Sequence, residues 1–290
     1  MSAVGYSVNW PSNWVSPVIV ASPHSGADYP QAFLDRSILD AHEIRSSEDA
    51  FVDQLFDAAP ALGMAFLTAN MPRAYVDLNR SVQELDPAVI DGVARRGQNP
   101  RVASGLGVIP RVVAQGRPIY SGKLTQAEAA ARLDLVWHPY HRELQRLLNT
   151  ARSHMGEAIL LDCHSMPREA LDTLGSGGTR KRAEIVLGDR FGVAADAEIV
   201  EQIEAAFAAA GFEVARNTPF AGAYITQTYG RPSRRQHAVQ VEIDRSLYMD
   251  EETIQPHSGF AEMRTRLAQV LAEVARIRGS AQGTDWLAAE

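Results

Sequence analysis

Three short apolar runs constrain this chain more than any other feature. Residues 17–21 (PVIVA) and 157–163 (EAILLDC) are nearly continuous in apolar side chains, and residues 238–244 (AVQVEID) alternate. Runs this short read as buried strands rather than helices. In the third, Val239, Val241 and Ile243 share one face and Gln240, Glu242 and Asp244 the other. Shorter strands are expected at 64–69, 74–78, 183–187 and 212–215. Between them lie segments of helical period. Residues 48–59 carry acids in their first turn. Thr125 with Glu128 forms a capping box opening a helix that runs toward His154, kinked at Pro139. Residues 197–210 are closed by Gly211, and 260–277 form an amphipathic terminal helix. This alternation predicts a single three-layer α/β domain spanning residues 1–290, with a mixed central sheet flanked by helices. Residues 81–122 lack periodicity and are rich in Gly, Pro and Arg. Inside a compact domain, so long a stretch is often a functional loop.

Composition narrows the classes of function. With 46% hydrophobic and 22% charged residues, the chain has ample material for a core. No run approaches the ~18–20 apolar residues of a membrane span, and residues 1–14 show neither a basic start nor an apolar stretch. The expectation is a cytoplasmic protein without membrane contact. The net charge of −7 argues against nucleic acid as partner, and the single cysteine, Cys163, excludes a disulfide framework or a Cys-rich zinc site. Of 28 basic residues only Lys123 and Lys181 are lysines, so any anion contact will be a guanidinium fork.

Two histidines follow strand ends: His24 in the loop Ser22-Pro23-His24-Ser25-Gly26, and His164 after residues 157–163. In open α/β sheets ligands gather at the carboxyl ends of strands, where two imidazoles could share one metal ion. Each could equally be a hydrogen-bonded loop residue. Asp162 shares the strand face of His164 and could accept the second ring N–H. A third ligand would come from Glu48, Asp49 or Asp28, although acids at a helix start are also favoured by the helix dipole. Asn79 and Arg80 follow a strand and could grip a carboxylate, with Arg73 as a further contact. Glu242, on the polar face of its strand, suits a general base beside an activated water. Arg231, in the loop Tyr229-Gly230-Arg231-Pro232, is a further candidate for substrate contact. Trp137-His138-Pro139-Tyr140-His141 places two histidines on one helix side, but without a third acid it reads as packing. Cys163 points away from His164 and reads as a buried inert thiol.

In order and spacing these motifs resemble the N-formylglutamate amidohydrolase family, which is related to the aspartoacylase and zinc carboxypeptidase groups. The resemblance covers roughly residues 17–252. It rests on the His24 loop, Glu48 to Asp53, Tyr75 to Arg80, His138 to His141, Leu161 to Ser165, Gly222 to Thr226, Tyr229 to Pro232 and Val239 to Glu242. It implies a phosphorylase/hydrolase-like fold and a zinc-dependent hydrolase, one zinc per chain, cleaving the amide of a small N-acylated amino acid. N-formyl-L-glutamate, a compound of histidine degradation, is the first expectation. Another acyl-amino acid or a short peptide is the alternative, and a metal-free binding homologue the second. By the same resemblance His24 and His164 are metal ligands, Glu242 the base, and Asn79 with Arg80 the carboxylate clamp. Related sites carry a Glu three residues after the first His. Here that position is Ala27, so Asp49 is taken as third ligand, with Glu48 in reserve.

Overall fold

A computed structural model describes residues 5–94, 99–172 and 182–279; Lys181 lies outside them. Seven strands form one mixed sheet in the order β1-β3-β2-β4-β7-β5-β6. They are β1 Tyr6–Asn9, β2 Val18–Ser22, β3 Ala65–Ala69, β4 Ala158–Met166, β5 Ile185–Gly188, β6 Val214–Arg216 and β7 Gln236–Asp244. The four central strands β3, β2, β4 and β7 run parallel. β1 pairs antiparallel with β3 and β5 antiparallel with β7, so the sheet is mixed as its pattern predicted.

Both faces of the sheet are covered. Val18, Val20, Leu161, Cys163, Val239, Val241 and Ile243 face a core with the helices Ala197–Ala209 and Phe260–Val274. Ile19, Ala21, Leu160 and Ala238 face a second core with the helix His138–Met155 and residues from the aperiodic stretch, among them Val108, Ile109 and Ile119. That stretch, apart from residues 95–98 outside the description, is therefore largely a packed wall of this second core. Every residue of β4 and β7 is buried. Continuous apolar runs are what a parallel sheet covered on both sides requires.

Three expectations need correction. Residues 74–78 form a turn, not a strand, because Asp77 and Asn79 use their polar groups within the turn itself: Asn79 N–H donates to Asp77 Oδ1 at 2.8 Å. The helix expected at 48–59 is a single turn, Val52–Leu55, preceded by Phe51 in the left-handed region (φ 65°). The long helix is Gln126–Arg132, one wider π turn at Leu133–Trp137, and then His138–Met155. Pro139 has no N–H to continue the ladder, and the carbonyl four residues before it, that of Leu135, lies within the wider turn. The irregularity lies just before it.

Candidate metal centre

The carboxyl ends of β2, β4 and β7 lie side by side, and the polar residues collect there. Strand alternation puts Asp162 and His164 of β4 on one face, and the β4–β7 register sets them opposite Gln240 and Glu242. His164 thus lies inside its strand rather than beyond it. His24 stands two residues past β2. Its loop is pressed against Asn70 and Met71, and a Cβ on Gly26 would lie 2.7 Å from the Asn70 carbonyl carbon. Asp49 reaches the same point from the loop before Val52–Leu55, its N–H donating to the His24 carbonyl at 3.1 Å. The left-handed Phe51 and the bond from Tyr248 Oη to the Ala50 carbonyl (3.0 Å) fix that loop. Backbone strain of this kind collects at functional sites.

His24, Asp49 and His164 are each buried, and one ligand atom from each lies within 4.8 Å of the other two. Asp49 Oδ2 is 2.9 Å from His164 Nδ1 and 3.4 Å from His24 Nδ1. Tetrahedral ligands held at ~2.0–2.1 Å from zinc stand about 3.3 Å apart. His24 Nδ1 is buried without a hydrogen-bond partner among the described residues. On the opposite sides of the rings, His24 Nε2 is hydrogen-bonded to Asp77 Oδ1 at 2.8 Å, whereas His164 Nε2 lies 3.3 Å from Asn79 Nδ2 and 3.2 Å from Asp162 Oδ2 without a hydrogen bond to that carboxylate. The bond at His24 is how metal-bound imidazoles are oriented. Donor set, orphaned nitrogen and outer carboxylate all fit a divalent ion. Glu48 does not join them. It accepts from Tyr29 Oη at 2.6 Å and from Arg45 at 3.0 Å. Asp28 is exposed.

The charges around this point are coupled. Burial opposes ionisation of Asp49, yet the two imidazoles and Arg73 outweigh it and hold the carboxyl well below its usual range. Asp77 behaves likewise, with His24, Arg73 and Arg80 overcoming burial. Glu242 goes the other way. Burial, with Asp49 nearby, pushes it up to about 7 despite His164. Its Oε1 accepts from Gln240 Nε2 at 2.7 Å.

His24, Asp49, His164, Gln240 and Glu242 line a cavity of ≈ 290 Å³. Three contributors to its wiring were not foreseen in these roles. Arg245 Nη2 donates to Asp49 Oδ1 at 2.9 Å, and its Nε to Ser165 Oγ at 3.1 Å. Arg73 Nη2 donates to Asp77 Oδ2 at 2.9 Å. Asp77 itself holds His24. Asn79 and Arg80 line the cavity, but the Asn79 amide is engaged within the protein. Its Oδ1 accepts from Ile225 N–H at 2.8 Å, and Nδ2 faces Gln240 Oε1 at 3.4 Å. His141 supports this turn, its Nε2–H donating to the Leu78 carbonyl at 3.0 Å while Nδ1 lies 2.9 Å from Tyr229 Oη, whose O–H also reaches the His141 carbonyl at 3.3 Å. Trp137 Nε1 donates to the Arg80 carbonyl at 2.9 Å. Both ring nitrogens of His141 are thus engaged within the protein. Arg231 must be withdrawn from the site. It bridges Gln236, the first residue of β7, whereas Glu242 lies six residues further on, roughly 20 Å along an extended strand.

The sequence pattern of the N-formylglutamate amidohydrolase family matches residues 16–249. The chain belongs to this family. Two relatives, both N-formylglutamate deformylases, agree with the assignment. The one from Pseudomonas aeruginosa is 31% identical over 81% of this chain and 83% of its own length, and the one from Pseudomonas putida 30% over 81% and 82%. The crystal structure of an N-formylglutamate amidohydrolase from Ralstonia eutropha JMP134 superposes with a TM-score of 0.87 at 33% identity, covering 94% of this chain and 98% of that one. A protein of Agrobacterium tumefaciens, 16% identical, shares the fold at a TM-score of 0.63 over 94% of this chain and 95% of its own. Among the described residues of this family member, no helix is long and apolar enough to cross a membrane.

Proposed function

We propose that the chain, as one catalytic domain, is a zinc-dependent amidohydrolase that converts N-formyl-L-glutamate and water to formate and L-glutamate. The observation carrying this reading is the convergence of His24 Nδ1, His164 Nδ1 and Asp49 on one point, with Glu242 opposite His164 in the strand register. Both deformylase relatives point to the same substrate. His24, Asp49 and His164 would hold the zinc, which when bound supplies a Lewis acid that polarises the formyl carbonyl and acidifies water. Asp77 keeps the His24 imidazole turned toward Asp49, and the Asp162 charge stands beside that of His164. Arg245 and Arg73 hold Asp49 and Asp77 in place. Glu242 takes the proton of the attacking water and returns it to the leaving amine. Arg80, on the turn kept by Asn79 and His141, binds a substrate carboxylate. Cytoplasmic action on a small free substrate suits this chemistry.

The test is a purified protein assayed on a panel of N-formyl and N-acetyl amino acids, with metal analysis. About one zinc per chain is expected, with activity lost to a chelator and restored by zinc. Glu242→Gln should keep the metal and lose roughly 10²–10⁴-fold in kcat. Full turnover after chelation, or in that variant, would refute the mechanism.

A further inference from the structure

Four guanidiniums line the cavity: Arg73, Arg80, Arg101 and Arg245. Two are committed to the protein's own carboxylates, Arg73 to Asp77 and Arg245 to Asp49. The other two are not. Among the described residues Arg80 donates only to backbone carbonyls, Nε to Leu106 at 3.0 Å and Nη1 to Asn79 at 2.8 Å. Arg101 makes no ion pair among the described residues. The two sense one another: burial first, and then the charges of Arg73 and Arg101, lower the pKa of Arg80.

The position of Arg101 is built rather than incidental. Asn99 Oδ1 accepts from the N–H groups of Arg101 and Val102, at 3.0 and 3.3 Å, and Asn99 Nδ2 donates to Glu84 Oε2 at 3.3 Å. Arg111 ties the end of the same turn, donating to the Ala103 carbonyl at 3.2 Å while its Nε holds Asp86 at 3.0 Å. The segment bearing Arg101 is therefore fastened to the wall.

Charge completes the argument. The lining sets four guanidiniums against two carboxylates, Asp49 and Glu242. A divalent cation held by His24, Asp49 and His164 would enlarge that positive surplus. That surplus favours an anionic ligand, and Arg80 and Arg101 are the lining arginines without a carboxylate partner among the described residues.

We infer that Arg80 and Arg101 form a carboxylate subsite that selects an acidic side chain on the amino acid being deacylated. This rests on the amidohydrolase reading above. Arg101 is then the specificity-determining residue, in the part the sequence had suggested for Arg231. A guanidinium pair grips a carboxylate through paired N–H donors. The carboxamide of glutamine would present its own N–H₂ to them, leaving donors face to face.

The experiment compares the zinc-loaded native chain with Arg101→Ala and Arg101→Lys in two measurements. One is kcat/KM on N-formyl-L-glutamate against N-formyl-L-glutamine; the other is calorimetric binding of glutarate. Arg101→Ala should cut the preference for the acidic substrate roughly 10–100-fold, mainly through KM, and weaken glutarate by a similar factor. Arg101→Lys should recover part of both. If the native chain hydrolyses these amides and its preference survives Arg101→Ala, the subsite is wrong and the hydrolase reading stands. If glutarate binding depends on Arg101 but neither amide is cleaved, the subsite stands and the hydrolase reading falls.

Discussion

His141 gives the sharpest quantitative test of how the site is held together. Its Nε2–H donates to the Leu78 carbonyl and its Nδ1 lies against the Tyr229 hydroxyl, in a place where burial disfavours the charged ring. Burial pushes its pKa down to about 3, from 6.5 in the unfolded chain. Between those two values the unfolded state binds more protons. Stability from this group is therefore fully present above pH 6.5 and is lost as pH falls toward 3. Each pH unit inside that window is worth about 1.4 kcal/mol, so a fall from pH 7.5 to 5.0 removes about 2 kcal/mol, nearly all of it below pH 6.5. Other groups titrate in the same range, and a matched variant removes their share. Gln at this position can still donate to Leu78 but has nothing to protonate. Urea unfolding of the native chain and of His141→Gln, both at pH 7.5 and 5.0, should show the native chain losing about 2 kcal/mol more than the variant. Parallel losses would mean that the ring accepts a proton within the fold, and the argument from burial would fail.

Asp77→Asn keeps the shape beside His24 but removes the charge that orients its ring, and zinc affinity should fall roughly 10–100-fold in a competition titration. Unaltered affinity would show that Asp77 does not tune the ligand. Gly26→Ala forces a Cβ against the backbone of Asn70 and Met71, so unfolding stability should drop by roughly 1–3 kcal/mol and zinc occupancy should fall with it, as His24 is displaced. Arg231→Ala removes a side chain at the far end of β7, and kcat/KM should stay within about two-fold of native. A large loss would bring Arg231 back into the site.

What could be read from the sequence, and what could not, divides along physical lines. The faces of β4 and β7 were legible because side-chain direction in a strand has period two, and this put His164 with Asp162, and Glu242 with Gln240. His24 was legible as the first polar side chain able to ligate a metal past a buried strand. Asp49 could be named but not placed, because its approach depends on a left-handed residue and a one-turn helix that no periodicity encodes. Arg73, Arg245 and Arg101 were invisible in these roles for a different reason. In a chain with 26 arginines, none differs in sequence from a solvated one.

The error over Arg231 shows where a signal existed. Arg231 precedes β7 in sequence and Arg245 follows it, so the two lie at opposite ends of that strand. Which end carries the site depends on whether β7 runs parallel to β2 and β4. In a sheet where β5 and β6 run opposite to β7, composition does not reveal that direction. The burial pattern does. Asp162, His164, Gln240 and Glu242 are buried at the carboxyl end of two strands whose neighbours on the same face, Leu160 and Ala238, are apolar. Burying such groups costs several kcal/mol unless each finds a partner, so folding alone gives no reason to gather them. An apolar strand whose inward face turns polar over its last residues therefore marks the functional end. That pattern puts Arg245, one residue beyond β7, at the functional end and Arg231 at the opposite one.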